Sequence, residues 1–124
     1  MRDFRGLRVW EKSHELVLDL YRATRAFPQG EMYGLVSQIR RCSASIAANL
    51  AEGCGRTGNG EFHRFLQVAA GSGSELDYHL LLAKDLGFVS DEQYRKLYTS
   101  LLDVRRMLSA LMTKVALERR AGKR

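Results

Sequence analysis

Proline is nearly missing from this sequence: among 124 residues there is one, Pro28. A proline ring removes a backbone donor and breaks helix interiors, so its scarcity leaves long stretches free to coil. Cysteine is scarce as well, with only Cys42 and Cys54. If both ride on or beside one helix, twelve steps of ~1.5 Å hold their backbones ~18 Å apart, and both are expected as reduced thiols. No apolar run approaches the ~18 residues that a membrane span requires. The opening Met1-Arg2-Asp3-Phe4-Arg5 lacks the unbroken apolar stretch of a secretory signal, so the expected location is the cytosol. No segment alternates apolar and polar residues with period two, which leaves no candidate strand.

What is present has the balance of a folded chain. Hydrophobic residues make up 45% and charged residues 27%, too apolar for a disordered protein. The length suits a single domain. Twenty Lys and Arg stand against 14 Asp and Glu, a formal charge of +6, and most of the cations are arginines. A guanidinium forks onto phosphate oxygens and stacks on bases, so this excess points toward nucleic acid. A surface that is basic only for solubility is the competing reading.

Apolar spacing places four helices. From Val9, the positions Ser13, Leu16, Val17, Leu20, Tyr21, Thr24 and Phe27 recur at three and four until Pro28. Leu35, Ile39, Cys42, Ile46 and Leu50 mark a second helix, with Gly53 expected as its left-handed C-terminal residue. A glycine-rich connection from Gly53 to Gly60 leads into a third, through Phe62, Phe65, Leu66, Ala69, Leu76, Leu80 and Ala83, ending at Gly87. Ser90-Asp91-Glu92-Gln93 has the form of a capping box for a fourth, which carries Tyr94, Leu97, Leu101, Val104, Leu108, Leu111 and Val115. Short connections make neighbouring helices antiparallel. The expected fold is therefore all-α: an antiparallel up-down four-helix bundle over residues 1–118, with a basic and mobile tail over 119–124. Ala44, Ala47, Ala48 and Ala51 on the second helix, with Ala69, Ala70, Gly71 and Gly73 on the third, predict a close approach of backbones. Such an approach would offset the ~1 kcal/mol that each helical glycine costs; a local break in helix three is the alternative.

Patterns that could carry chemistry are few. Gly53-Cys54-Gly55-Arg56-Thr57-Gly58 spells G-x-G-x-x-G, but a dinucleotide site needs a strand before the glycines, and here a helix precedes them. A di-iron bundle needs Glu-x-x-His on two helices, and Glu11-Lys12-Ser13-His14 is the lone match. Glu75 and His79 could share a face with Glu52, yet no second proper motif joins them, so neither metal nor cofactor is expected. His14, His63 and His79 fall on different helical faces, and no nucleophile sits in a recognisable elbow, so the expectation is a protein that is not an enzyme. The polar side of helices two and three carries Gln38, Arg41, Ser45, Asn49, Glu52 and Arg56 opposite Glu61, Arg64 and Glu75. Its mixed sign favours ion pairs and inter-helix hydrogen bonds for Asn49, Glu52 and Glu75.

Phe4-Arg5-Gly6-Leu7-Arg8-Val9-Trp10-Glu11-Lys12, then Phe27-Pro28 and Glu31-x-Tyr33-Gly34-Leu35, resemble the 23S rRNA-intervening sequence protein family. Two longer stretches carry the likeness further. One is Gln38-Ile39-Arg40-Arg41 with Ser45-Ile46-x-x-Asn49-Leu50-Ala51-Glu52-Gly53-x-Gly55-Arg56; the other is Glu61-Phe62-x-Arg64-Phe65-Leu66-x-x-Ala69-x-Gly71-Ser72-x-x-Glu75-Leu76. The resemblance implies a four-helix bundle assembling as a homopentameric ring, in a family without assigned catalytic chemistry. It also implies likeness to the accessory variability determinant of diversity-generating retroelements, a basic pentamer that binds nucleic acid and a reverse transcriptase. Asn49, Glu52, Gly53, Gly71, Ser72 and Glu75 then read as determinants of fold and assembly. The expected function is non-enzymatic binding of structured RNA or DNA through Arg40, Arg41, Arg56, Arg64, Arg119, Arg120, Lys123 and Arg124. The alternative is a scaffold ring for an acidic protein partner such as a reverse transcriptase.

Overall fold

The computed structural model describes residues 2–122, which form four α-helices and, among those residues, no strand. Helix α1, Arg8–Thr24, turns Val9, Ser13, Leu16, Leu20 and Thr24 inward. The two hydroxyls on that apolar stripe are satisfied within the helix: Ser13 Oγ donates to the Val9 carbonyl and Thr24 Oγ1 to that of Leu20, each at 2.7 Å. The helix stops at Thr24, and Phe27 reaches the core from the following turn, packing on Phe88 at 5.5 Å between ring centroids.

Helix α2, Leu35–Cys54, buries Leu35, Val36, Ile39, Cys42, Ser43, Ile46, Leu50 and Cys54 along one side. Both cysteines are buried as free thiols. Gly53 was expected as a left-handed terminator, and the structure corrects this: it lies inside the last turn of α2. Its role is close approach. A Cβ built there would stand 3.0 Å from both Phe62 Cδ1 and Phe65 Cβ, so only hydrogen fits beneath the aromatic start of the next helix.

Helix α3 spans Asn59–Asp85, entering earlier and leaving earlier than its apolar pattern alone predicts. The left-handed residues sit outside it, Gly58 at φ 84° before and Gly87 at φ 79° after. At the latter, Gly87 N donates to the Lys84 carbonyl and Phe88 N to that of Ala83, which closes the exposed helix end. The interior glycines do not break α3. Gly73 accommodates the Arg105 side chain, whose Cγ would lie 3.5 Å from an added Cβ, whereas Gly71 faces open space rather than the close contact expected of it.

Helix α4, Asp91–Arg120, starts on the predicted cap, with Ser90 Oγ accepting from Gln93 N at 3.1 Å. Its apolar stripe, Leu97, Leu101, Val104, Leu108 and Val115, completes one continuous core. Each fully buried Leu of that core contributes ~1.5–3 kcal/mol relative to exposure. Helix α1 packs against α2 and α4, and α3 packs against the same two, so the four enclose one core. The helix continues through Arg119 and Arg120, two residues past the expected boundary at 118; Lys123 and Arg124 lie outside the described residues. Among the described residues no helix is long and apolar enough to cross a membrane.

Candidate nucleic-acid interface

The cations singled out from sequence are not equally available. Arg40 is half-buried and works inside the fold: Nε donates to Thr24 Oγ1 at 3.0 Å, Nη2 donates to the Tyr21 carbonyl at 3.3 Å, and the guanidinium lies 4.5 Å from the Tyr21 ring centre. It staples α2 to α1. Arg41 crosses from α2 to α3 and donates to Glu75, while the same Nη2 also reaches Gln38 Oε1 at 2.8 Å. Arg56 pairs with Glu52 Oε1 at 2.7 Å and Arg64 with Glu61 Oε2 at 3.0 Å. These two guanidiniums approach one aromatic ring, that of Phe65, at 5.2 and 4.6 Å.

The pairs of Arg56 and Arg64 are exposed, and pairs of that kind contribute ~0–1 kcal/mol. A phosphate can therefore compete for either arginine. The Arg64 hydrogen bond holds the Glu61 carboxyl below the ordinary carboxylate range, so Glu61 stays ionised beside it. Arg41 is less free, because its acidic partner is itself held by other groups. Glu75 also meets His79 Nε2 at 3.2 Å, and hydrogen bonding, from Cys42 first and then His79, pulls its carboxyl below the usual range.

The residues expected to set register divide. Glu75 joins α3 to α2 through Arg41, whereas Glu52 bonds within α2 to Arg56. Asn49 Nδ2 donates to the Ser45 carbonyl at 2.8 Å and to Ser45 Oγ at 3.0 Å; the Ser45 hydroxyl then meets Ser72 Oγ across the helix pair at 2.8 Å. Gly53 and Gly71 lie at opposite extremes, one wedged under Phe62 and Phe65, the other open.

Arg119 and Arg120 have no carboxylate partner among the described residues. They line a groove of about 390 Å³ with His63 and Ala116, where the end of α4 passes the start of α3. The Arg119 guanidinium lies against Gly60, its Cζ 3.5 Å from where a Cβ would stand. Beside them, buried Asn59 accepts from Arg2 Nη2 at 3.0 Å and donates to Glu118 Oε2 at 3.3 Å, so Glu118, the chain neighbour of Arg119, is engaged with Asn59. Sequence reasoning missed Asn59, since its partners are 57 and 59 residues away.

The basic tail expected over 119–124 is the end of a longer charged stretch. Residues 1–103 hold thirteen cations and thirteen acids, whereas Val104 to Arg124 holds seven cations and only Glu118, so the whole +6 belongs to the last 21 residues. A running charge tally along the chain would have found it. Within this stretch Arg105 is committed to α3, bonding Asp77 Oδ2 at 2.8 Å and Ser74 Oγ at 3.0 Å. Arg106, Lys114, Arg119 and Arg120 make no ion pair among the described residues.

Residues 5–110 match the model of the 23S rRNA-intervening sequence protein family. The chain belongs to that family. Its fold is shared with the crystal structure of a Bacteroides thetaiotaomicron protein of unknown function from the S23 ribosomal protein family. The TM-score is 0.78 at 22% identity, over 85% of this chain and 95% of that one. No curated protein matches significantly. The family match stops at residue 110, so Lys114, Arg119 and Arg120 lie beyond it.

Proposed function

We propose that this member of the 23S rRNA-intervening sequence protein family is a non-enzymatic, homo-oligomeric, cytoplasmic protein that binds structured RNA or DNA electrostatically. The observation that carries the reading is the confinement of the net charge to Val104–Arg124, with Arg119 and Arg120 on a groove and in no ion pair among the described residues. Arg56 and Arg64, held only by exposed pairs around Phe65, extend that basic end. Arg40 and Arg41 serve the fold first. Lys123 and Arg124 add to the same charge.

The bundle is read as antiparallel because the α2–α3 contacts run in opposite senses: Arg41 meets Glu75, Ser45 meets Ser72, and Gly53 meets Phe62. The non-enzymatic reading is supported by the thiols, which burial pushes up and so keeps protonated, Cys42 to about 12. Assembly into a ring, pentameric as the family resemblance implies, would multiply the chain's +6 fivefold and add weak phosphate contacts through effective concentration. Light scattering checks the assembly.

Titration of labelled RNA and DNA at several salt concentrations tests the function. Binding that weakens steeply with salt is expected; no binding at low salt, or indifference to salt, contradicts it. A second reading, a scaffold for an acidic protein partner, is favoured by the exposed Met32 and Tyr33 beside Arg40 and Arg41, Tyr33 being 97% exposed. A partner retained after nuclease digestion would support the scaffold.

A further inference from the structure

Cys42 on α2 faces Glu75 and His79 on α3. The thiol sulfur, a carboxylate oxygen and a ring nitrogen all lie within 4.8 Å of one another. The glutamate and histidine sit one helical turn apart, so their side chains project to the same side, and the neighbouring helix supplies the sulfur. His79 is 15% exposed, and Nε2 meets Glu75 Oε2 at 3.2 Å. Its other nitrogen, Nδ1, is buried without a partner among the described residues, so Glu75 is the one hydrogen-bond partner the ring has among them. Thiolate, imidazole and carboxylate together form the donor set of a borderline-soft cation.

We propose that Cys42, Glu75 and His79 bind one zinc-class divalent cation that clamps α2 to α3, leaving a fourth coordination position open beside Glu75. Zinc bonds of ~2.0–2.3 Å place tetrahedral ligands ~3.3–3.7 Å apart, so small side-chain rotations close the present spacing. The step balances without redox chemistry: the metal–sulfur bond forms as the Cys42 proton passes to solvent. Arg41 now donates to Glu75 and lies 3.5 Å from the Cys42 sulfur, and it must withdraw. Its side chain is 55% exposed and already bonded to Gln38, so a place for it exists. This site lacks the paired Glu-x-x-His motifs of a di-iron bundle, and spacing within one helix cannot reveal a cysteine brought in by another. This inference does not depend on nucleic-acid binding.

Cobalt(II) titration of the chelator-stripped full chain tests it. A thiolate-to-cobalt charge-transfer band should saturate at one metal per chain and vanish when zinc is added. Cys42→Ser should abolish the band, His79→Gln and Glu75→Gln should weaken binding at least about tenfold, and Cys54→Ser should leave it unchanged. Arg41→Gln should bind more tightly, because a competing cation is gone. Absence of the band, or its survival in Cys42→Ser, would overturn the site. Should Cys42→Ser fail to fold, His79→Gln decides alone: unaltered affinity in that variant contradicts the proposal.

Discussion

At the scale of single residues, two glycines of the family-like motifs have opposite surroundings. Gly53→Ala drives a methyl to within 3.0 Å of Phe62 and Phe65, and overpacking of this kind costs ~1–3 kcal/mol, outweighing the gain in helix propensity. Gly71→Ala meets nothing within 4 Å and should stabilise α3 by ~0.5–1 kcal/mol. Urea denaturation of the two variants should therefore shift in opposite directions. Sequence alone identified Gly53 as structural and misjudged why, because the rings that crowd it come from the next helix. Cys54 offers a test by pH. Burial raises its thiol pKa, so the folded chain holds a proton that the unfolded chain releases above about 8.5. Its contribution to stability is complete below that value and declines as pH climbs toward the raised folded pKa. Cys54→Ala should flatten the alkaline fall in stability while leaving the neutral-to-acid profile parallel to the parent.

At the scale of helices, apolar periodicity located all four, and what it misplaced were ends and connections. Phe62 and Phe65 announced α3, but its first turn begins at Asn59, a polar residue buried by Arg2 and Glu118 from distant parts of the chain. No local rule shows such a partner. The start of α4 was legible because its cap is local: Ser90 and Gln93 are three residues apart. Ser90→Ala should cost ~1 kcal/mol, read as a lowered melting temperature with the helical far-ultraviolet signal otherwise retained. The far end of α4 was read as a tail because Arg119, Arg120 and Ala121 add nothing to the apolar stripe. Helix geometry carries the chain past Val115 nonetheless, and this fixes Arg119 and Arg120 beside the start of α3.

At the scale of the molecule, the chain is electrically lopsided: its first 103 residues are neutral in sum and its last 21 are basic. Total charge was visible at once, whereas its usefulness depends on which arginines are occupied, and only folding decides that. Arg40 and Arg41 stand out in sequence as an adjacent pair, yet both are spent joining helices. Arg119 and Arg120, expected as contacts on a mobile tail, lie instead on α4 beside a groove, in no ion pair among the described residues. The central claim is that this end of α4 supplies the phosphate contacts. It is tested most directly by the slope of log binding constant against log salt for the parent and for Arg119→Gln/Arg120→Gln on one labelled RNA. Two lost phosphate contacts should reduce the slope by about 2 per chain engaged, with affinity falling throughout. A slope and affinity equal to the parent's would contradict the account.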